Sequence, residues 1–257
     1  MNKLWQILLS LNSLRKAVGF GKFISATKFN FHVEEINDLL YEKVLVLAPH
    51  PDDEVFGIGG ALKKLSKNGS KIMVVYFCDG SAGTDGRTKK DPKLAAIRRK
   101  EVKKSAKILG IRKQIFFGFE DGNLKADKII VKALSKLIEE FKPDIIFVPS
   151  FLDNHPDHRA VNKILMSLNK LDQYLEIWAY QVWTPIYVNR LVPIDEEFES
   201  KKQAMRMNVS QLEARNYDDA ILGLNKYQGE INNVSGFAEG FFASTLEMYR
   251  ELYRKSN

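Results

Sequence analysis

The sequence contains very little cysteine. Cys78 is the single cysteine among 257 residues, so an internal disulfide is excluded. A lone cysteine is typical of proteins from reducing compartments, and we expect a cytoplasmic protein. A closed structural zinc site built from several thiolates is excluded for the same reason, so any metal site must use other ligands.

The sequence also has no apolar run of the roughly 18 residues that a membrane-spanning helix needs. Residues 1–23 have instead an apolar face at helical spacing, without the compact apolar block and cleavage site of a signal peptide. We interpret residues 1–40 as an N-terminal amphipathic helical extension. We expect it to pack on the domain or on a partner subunit, and the alternative is weak contact with the inner face of a membrane.

No segment interleaves basic and aromatic residues in the way of proteins that stack nucleic-acid bases, although the net charge is +7. A nucleic-acid partner is therefore not expected. Basic residues concentrate over residues 89–107, where the solvated face of a helix is the favoured interpretation. The alternative is attraction to a phosphate-bearing substrate or an anionic membrane. The sequence leaves the oligomeric state open.

From residue 43 the chain alternates short apolar runs with segments of helical spacing. Runs without a polar face indicate a parallel sheet with helices on both sides. We therefore predict one α/β domain over residues 41–257, with a Rossmann-like, open and mostly parallel sheet. Strands are predicted at 43–48, 71–77, 114–119, 144–150 and 174–183, and helices at 54–69, 91–110, 126–141, 156–168, 200–222 and 240–253.

Acidic residues and histidines follow the carboxyl ends of four predicted strands. Ligands of open α/β sheets bind beyond these ends, so the fold is expected to bring together side chains about a hundred positions apart. The residues concerned are His50, Asp52, Asp53 and Glu54 after the first strand, Asp79 after the second, Asp121 after the third, and Asp153, His155, Asp157 and His158 after the fourth.

Three of the four histidines fall in two short segments, HPDDE at 50–54 and HPDH at 155–158. Two imidazoles and one carboxylate are ligands that Zn²⁺ prefers, and three protein ligands leave the open position that a catalytic zinc needs. The glycines of GIGG at 57–60 offer a rival interpretation, a dinucleotide-binding turn, but Leu62 stands where its third glycine belongs. We expect these glycines to allow close packing of a helix on a strand.

With HPDDE and HPDH placed after the first and fourth strands, the sequence resembles the LmbE-like, or PIG-L, family of zinc-dependent N-acetylglucosaminyl deacetylases. The resemblance extends over about residues 43–245, with Pro49 where alanine is usual. It also includes DG-x-x-G at 79–83, the Arg98 and Glu101 pair, and DG at 121–122. The two histidine segments at this separation are its most specific part.

The resemblance implies a role for each matching residue. It implies that His50, Asp53 and His158 bind zinc and that Asp52 is the general base. It implies that His155 is a protonated group facing the carbonyl oxygen and the leaving amine, with Asp157 as its orienting partner. Arg98 and Asp121 are expected to bind the substrate.

These residue types are sufficient for amide hydrolysis, because zinc lowers the pKa of its water to about 7 and a neighbouring carboxylate can accept the proton. We expect a hydrolase that removes the N-acetyl group from an N-acetylated amino sugar or its phosphate- or lipid-linked conjugate. Fe²⁺ could use the same ligands. The alternatives are an amidase for a larger sugar or thiol conjugate, and a catalytically silent, metal-bearing glycan-binding module.

Several of these side chains also have purely structural interpretations. Asp52 could cap a helix, and Glu54 could support a ligand histidine. Cys78 is expected to be a small buried apolar residue. Tyr180 and Trp183 could form a wall that stacks on a sugar, although packing in the core is the preferred interpretation.

Overall fold

The fold is seen in a computed structural model, which describes residues 33–82, 90–213, 215–234 and 236–256. The amphipathic helix predicted near the N-terminus lies outside these residues, and its contact with a membrane or a partner stays a prediction. Within the described residues, no helix combines the length and the hydropathy that crossing a membrane requires.

One mixed sheet forms the centre of the described chain. Its strands are β1 (Glu34–Glu35), β2 (Lys43–Ala48), β3 (Lys71–Cys78), β4 (Lys113–Phe119), β5 (Ile145–Pro149), β6 (Glu176–Tyr180), β7 (Arg190–Pro193) and β8 (Ala238–Thr245). They lie in the order β1-β7-β8-β6-β5-β2-β3-β4. Only β8 is antiparallel to its neighbours, β6 and β7. The prediction of an open, mostly parallel sheet in one domain is confirmed.

Helices cover both faces of this sheet. They are α1 (Asp53–Lys67), α2 (Pro92–Leu109), α3 (Lys128–Phe141), α4 (Pro156–Met166), α5 (Phe198–Arg206), α6 (Val209–Leu212), α7 (Tyr217–Ile231) and α8 (Leu246–Ser256). Alternate residues of β2 point to opposite sides. Val44 and Val46 pack in a core cluster with α1, α2 and α5, whereas Leu45 and Leu47 pack in a second cluster with α3, α4 and α8.

Helix α1 carries its glycines where it lies closest to its neighbours. A Cβ atom at Gly57 would lie 2.6 Å from Cδ2 of Tyr180, and one at Gly60 would lie 2.6 Å from Cγ2 of Ile194. Both distances are far below van der Waals contact, so only glycine fits without movement of the buried neighbour. The prediction that these glycines allow close packing is confirmed.

A buried carboxylate stabilises the bend in the middle of α1. The helix has non-helical dihedral angles at Ile58, with φ −139° and ψ 22°. Glu239 of β8 accepts hydrogen bonds from the backbone N–H groups of Gly60 and Ala61, at 2.8 and 2.7 Å. The buried Lys201 ammonium lies 2.6 Å from the same carboxylate. The backbone donors that would cradle a phosphate at this turn are therefore already taken by Glu239.

The C-terminal part of the chain differs from the prediction. Residues 238–245 form β8, and the last helix begins only at Leu246, so the helix predicted over 240–253 is half wrong. The single helix predicted over 200–222 is three helices, α5 to α7. Asn208 ends the first of them, because its side-chain amide donates to the Ala204 carbonyl and to Ser105 Oγ.

The first residues of the described chain belong to the sheet. Glu34 and Glu35 pair with Arg190 and Leu191 of β7, and Leu39 is buried in the core. The sheet therefore begins before the boundary predicted at residue 40. The pairing was not predicted, because two charged residues carry no apolar strand pattern.

Candidate active site

The ends of the parallel strands bring the three predicted metal ligands together. His50 follows β2, Asp53 is the first residue of α1, and His158 lies in the first turn of α4. Oδ2 of Asp53 lies 3.2 Å from Nδ1 of His50 and 3.4 Å from Nε2 of His158. All three side chains are buried. The structure therefore places the three side chains together, and their role as metal ligands stays a prediction.

The surroundings of the His158 ring nitrogens test whether these residues fit a metal ion. Neither of its buried ring nitrogens has a hydrogen-bond partner within the described residues, and each lies 3.4 Å from a carboxylate oxygen, of Asp53 or Asp153. Ligand atoms on a tetrahedral Zn²⁺ lie about 3.3 Å apart, so the spacing around Asp53 Oδ2 suits such an ion. Burial lowers the pKa of His158, but the two carboxylates raise it to about 9. The cluster therefore attracts a cation.

Two groups of side chains within the described residues have ligand atoms close enough to share an ion. One is His50 with His155 and His158, and the other is His50 with Cys78 and Asp157. Burial raises the pKa of the Cys78 thiol to about 11, so the thiolate that a metal requires is disfavoured at neutral pH. In the first group, His50 and His158 lie on either side of Asp53, and these three residues form the better metal site. The buried position of Cys78 is as predicted.

Asp157 holds His50 in place. Its Oδ2 lies 3.0 Å from Nε2 of His50, and its two oxygens accept hydrogen bonds from the backbone N–H groups of Gly122 and Leu124. Within the described residues no ion pair joins Asp157 to the ring of His155, so the predicted orienting contact is wrong. A carboxylate behind a ligand histidine fixes the ring and its tautomer. A catalytic role for Asp157 stays a prediction.

His155 is placed as a neutral hydrogen-bond donor. Its Nδ1 accepts a hydrogen bond from the backbone N–H of Asp157 at 3.2 Å and so caps α4. A nitrogen that accepts carries no proton, so the neutral ring bears its proton on Nε2. Burial, together with the positive charges of His50 and His158, lowers the pKa of His155 to about 4. The protonated form predicted for His155 is therefore not favoured in this arrangement.

Asp52 lines the same cavity as His50 and Asp53, and its carboxylate pairs with Arg98. Its φ of 137° is rare for a residue with a side chain and costs about 1–3 kcal/mol. The side chain makes no capping hydrogen bond to α1, so the capping interpretation is wrong. Its carboxylate lies 3.0 Å from Nη2 of Arg98. Burial raises the pKa of Asp52 to about 7, although the Arg98 charge acts in the opposite direction.

Arg98 and Asp121 complete the floor of the site. The buried Arg98 guanidinium also donates to the carbonyl oxygens of Pro51 and Gly80, each at 3.3 Å. Asp121 lies 3.1 Å from Nε2 of His50 and 3.7 Å from Nη1 of Arg98. Most of the polar atoms of these two residues therefore bind the protein itself. The substrate contacts predicted for them stay predictions.

Glu54 does not support a ligand histidine. Its Oε1 is hydrogen-bonded to the hydroxyl of Tyr76 at 2.5 Å, and its Oε2 has no partner within the described residues. Burial raises the pKa of Glu54 to about 8. The prediction that Glu54 binds a ligand histidine is wrong, because the helix turns its side chain toward β3.

These groups open into a cavity of about 260 Å³. Trp183 lines it and is 38% exposed, as a stacking wall requires. Tyr180 is fully buried, and its hydroxyl donates to the Leu47 carbonyl, so Tyr180 packs in the core. The lining consists of His50, Asp52, Asp53, Arg98, Asp121 and His155 on the polar side, and Phe56, Ala82, Val182, Trp183, Gln211, Arg215, Tyr217 and Ile221 elsewhere.

Known proteins are similar to this chain in sequence and in fold. A family profile described as PIG-L: GlcNAc-PI de-N-acetylase matches residues 45–169. The diacetylchitobiose deacetylase of Thermococcus kodakarensis is 30% identical over 203 residues, which are 72% of this chain and 75% of that protein. The chain belongs to the PIG-L family. The resemblance predicted from HPDDE and HPDH is confirmed.

Two further PIG-L relatives differ in how much of the chain they match. A protein of Bacillus cereus named "Probable N-acetyl-alpha-D-glucosaminyl L-malate deacetylase 2" is 32% identical over 133 residues, 48% of this chain and 59% of that protein. The solved structure of N,N'-diacetylchitobiose deacetylase from Pyrococcus horikoshii has a TM-score of 0.71 and 29% identity, and the match covers 81% of this chain and 86% of that one.

The PIG-L profile matches the floor of the cavity but not its far wall. Trp183, Gln211, Arg215 and Tyr217 all lie beyond residue 169, where the profile match ends. Sequence reasoning missed Arg215 and Tyr217, because no local pattern indicates that the segment before α7 returns to the strand ends. Gln211 was not among the predicted site residues either. Ser210 is held by hydrogen bonds to Glu101 at 2.9 and 2.6 Å.

Proposed function

We propose that this PIG-L protein is a metal-dependent N-deacetylase that removes the acetyl group from an N-acetylated amino sugar or its conjugate. The proposal is supported by the family, and by relatives named as deacetylases of acetylated chitobiose and of an N-acetylglucosaminyl conjugate. The observation that carries it is that two consecutive aspartates have different surroundings. Asp53 lies between two buried histidines, whereas Asp52 lines the cavity with a pKa of about 7.

His50, Asp53 and His158 would hold the metal, which we propose to be Zn²⁺, with Fe²⁺ as the alternative in the cell. When bound, the ion would lower the pKa of a coordinated water and polarise the carbonyl of the acetamide. Asp157 and Asp121 hold the far nitrogen of His50, at 3.0 and 3.1 Å, and so orient the Nδ1 that faces Asp53.

Asp52 is the proposed general base. A base works best when its pKa lies near the working pH, and burial brings Asp52 to about 7. It accepts a proton from the attacking water as the bond from water oxygen to carbonyl carbon forms. The carbon–nitrogen bond then breaks, the proton passes from Asp52 to the nitrogen, and the amine and acetic acid leave. The acid gives its own proton to solvent at neutral pH and becomes acetate.

His155 is the proposed donor to the carbonyl oxygen. Its neutral ring bears a proton on Nε2, and it lines the cavity beside His50, with 4.7 Å between ring centroids. A fixed N–H donor stabilises the negative charge that develops on the oxygen during attack. This role requires no positive charge on His155.

Acetate release and metal content test the proposal together. The purified protein is incubated with N-acetylglucosamine, diacetylchitobiose and a nucleotide-linked N-acetylglucosamine, before chelation, after chelation and after addition of Zn²⁺ or Fe²⁺. We expect about one metal ion per chain, and release of acetate and amine that chelation abolishes and metal restores. A full complement of metal without acetate release from any acetamido sugar would contradict the proposal and favour a silent binding module.

A further inference from the structure

The mouth of the cavity carries an arginine that has no acidic partner among the described residues. Arg215 is exposed and lines the cavity. Among the described residues, no carboxylate lies within ion-pair distance of its guanidinium, whereas the other lining arginine, Arg98, is buried 3.0 Å from Asp52. The charge of Arg98 is thus paired with a carboxylate inside the protein. The charge of Arg215 faces the space that a ligand enters.

Trp183 connects this arginine to the proposed reaction centre. The Arg215 guanidinium carbon lies 5.8 Å from the centre of the Trp183 ring, within the range of a cation–π contact. On the side of the reaction centre, Trp183 contacts His155, whose ring centroid lies 6.1 Å away at an interplanar angle of 28°. The three side chains therefore run in sequence from His155 to the mouth of the cavity.

Tyr217 supports Trp183 from the side. Its ring meets Trp183 edge to face, with 5.3 Å between centroids and an interplanar angle of 89°. The backbone N–H of Trp183 also donates to Asp153 at 3.2 Å. These contacts hold the side chain in one orientation while it stays 38% exposed. A rigid, partly exposed aromatic face is suited to stack on a sugar ring.

The charges along the cavity indicate what lies beyond that sugar. At the deep end the guanidinium of Arg98 lies 3.0 Å from Asp52 and 3.7 Å from Asp121, so that end offers no free arginine to an anionic group of a substrate. The mouth contains Arg215, which can form paired hydrogen bonds with a phosphate or a carboxylate. A substrate whose acetamide reaches His155 and whose far end is anionic fits this distribution of charge.

We propose that Trp183 and Arg215 form a subsite for the amino sugar and the group attached to it, and that this group carries a phosphate or a carboxylate. The sugar stacks on Trp183, and the anion of its substituent pairs with Arg215. The inference rests on the proposed N-deacetylase function and narrows its substrate class from any acetamido sugar to anionic conjugates. It makes Arg215 a residue that determines specificity without taking part in bond breaking.

Matched substrates and variants test this subsite. The substrates are methyl N-acetylglucosaminide, which is neutral, N-acetylglucosamine 1-phosphate, and an N-acetylglucosaminide of a hydroxy acid. Each is assayed with the metal-loaded wild type, Arg215→Gln, Arg215→Lys, Trp183→Ala and the control Arg206→Gln. Arg206 is exposed at the end of α5 and does not line the cavity. Calorimetric binding of each substrate to Asp52→Asn, with and without Arg215→Gln, provides a readout independent of turnover.

We expect the wild type to prefer at least one anionic substrate, and its KM for that substrate to rise with ionic strength. Arg215→Gln should raise this KM about tenfold, with kcat and the neutral substrate unchanged, while Arg215→Lys recovers part of the loss. Trp183→Ala should weaken binding of all three substrates, and Arg206→Gln should change none. The anionic substrate that shows the larger effect distinguishes a phosphate from a carboxylate.

Two results would overturn the inference, and they differ in what they leave standing. If acetate is released from neutral and anionic substrates equally, and Arg215→Gln affects both alike, the subsite is wrong and the deacetylase function stands. If no substrate releases acetate although metal is bound, the proposed function is wrong, and the inference falls with it.

Discussion

The guanidinium of Arg98 lies 3.0 Å from the carboxylate of Asp52, and both side chains are buried. Burial alone would keep Asp52 protonated at neutral pH, and the positive charge opposes this effect. Asp52 directly precedes the proposed ligand Asp53 in the sequence. Arg98 is therefore a residue that tunes a neighbouring acid, in addition to any contact with substrate.

Removal of this charge should shift the pH profile. In Arg98→Gln the pKa of Asp52 rises above about 7, so the acidic limb of kcat/KM moves to higher pH and activity at pH 6 falls at least tenfold. Arg98→Lys should recover part of the shift. Arg112→Gln, at an exposed arginine that does not line the cavity, is the control. If the acidic limb of the profile is unchanged in Arg98→Gln, the limb does not report the titration of Asp52.

The parallel half of the fold was predictable because its signals are local. The run from Val44 to Ala48 is apolar throughout, and Gly69 and Gly110 end the helices at positions of positive φ. The proposed metal cluster followed from the rule that strand ends meet at one edge. His50 follows β2, and His158 lies in the helix that follows β5. These two strands are neighbours in the sheet, so the rule was enough to bring the histidines together.

The rest depended on contacts between distant segments. Asp157 is two residues from His155 in sequence, yet its carboxylate contacts His50, 107 positions away. Strand β8 was predicted as helix because its state is decided by hydrogen bonds to β6 and β7, which a local pattern does not contain. Arg215 reaches the cavity only because α6 and α7 fold back over the strand ends.

Two glycine-to-alanine substitutions should have opposite effects on stability. Gly60→Ala should lower the free energy of unfolding by about 1–3 kcal/mol, because its Cβ would collide with buried Ile194. Gly223→Ala is the matched control, since Gly223 lies in α7 with nothing within 4 Å of the added Cβ. It should raise stability by about 0.5–1 kcal/mol. Urea unfolding measures both, and equal effects would refute the close-packing role of Gly60.

Glu54 should make the metal-free protein less stable as the pH rises. Its folded pKa of about 8 is above the ordinary value of 4.5, so the folded state binds the proton more tightly than the unfolded state. Its contribution is therefore most favourable below about pH 4.5 and is lost as the pH rises toward 8. The Tm of Glu54→Gln relative to wild type should increase from pH 5 to pH 8.

The control for this comparison is Glu247→Gln, at an exposed residue of α8. Its Tm difference from wild type should stay constant over the same range of pH. A constant difference for Glu54→Gln as well would show that Glu54 titrates normally in the folded protein.

The most direct test of the account compares metal content and acetate release in Asp52→Asn and His158→Ala. Asp52 is proposed to move a proton and His158 to bind the ion, so the two substitutions should separate the functions. We predict that Asp52→Asn retains about one metal ion per chain and loses at least a hundredfold in kcat, whereas His158→Ala loses the metal and the activity together. Wild-type turnover in Asp52→Asn, or full metal binding in His158→Ala, would contradict the assignment.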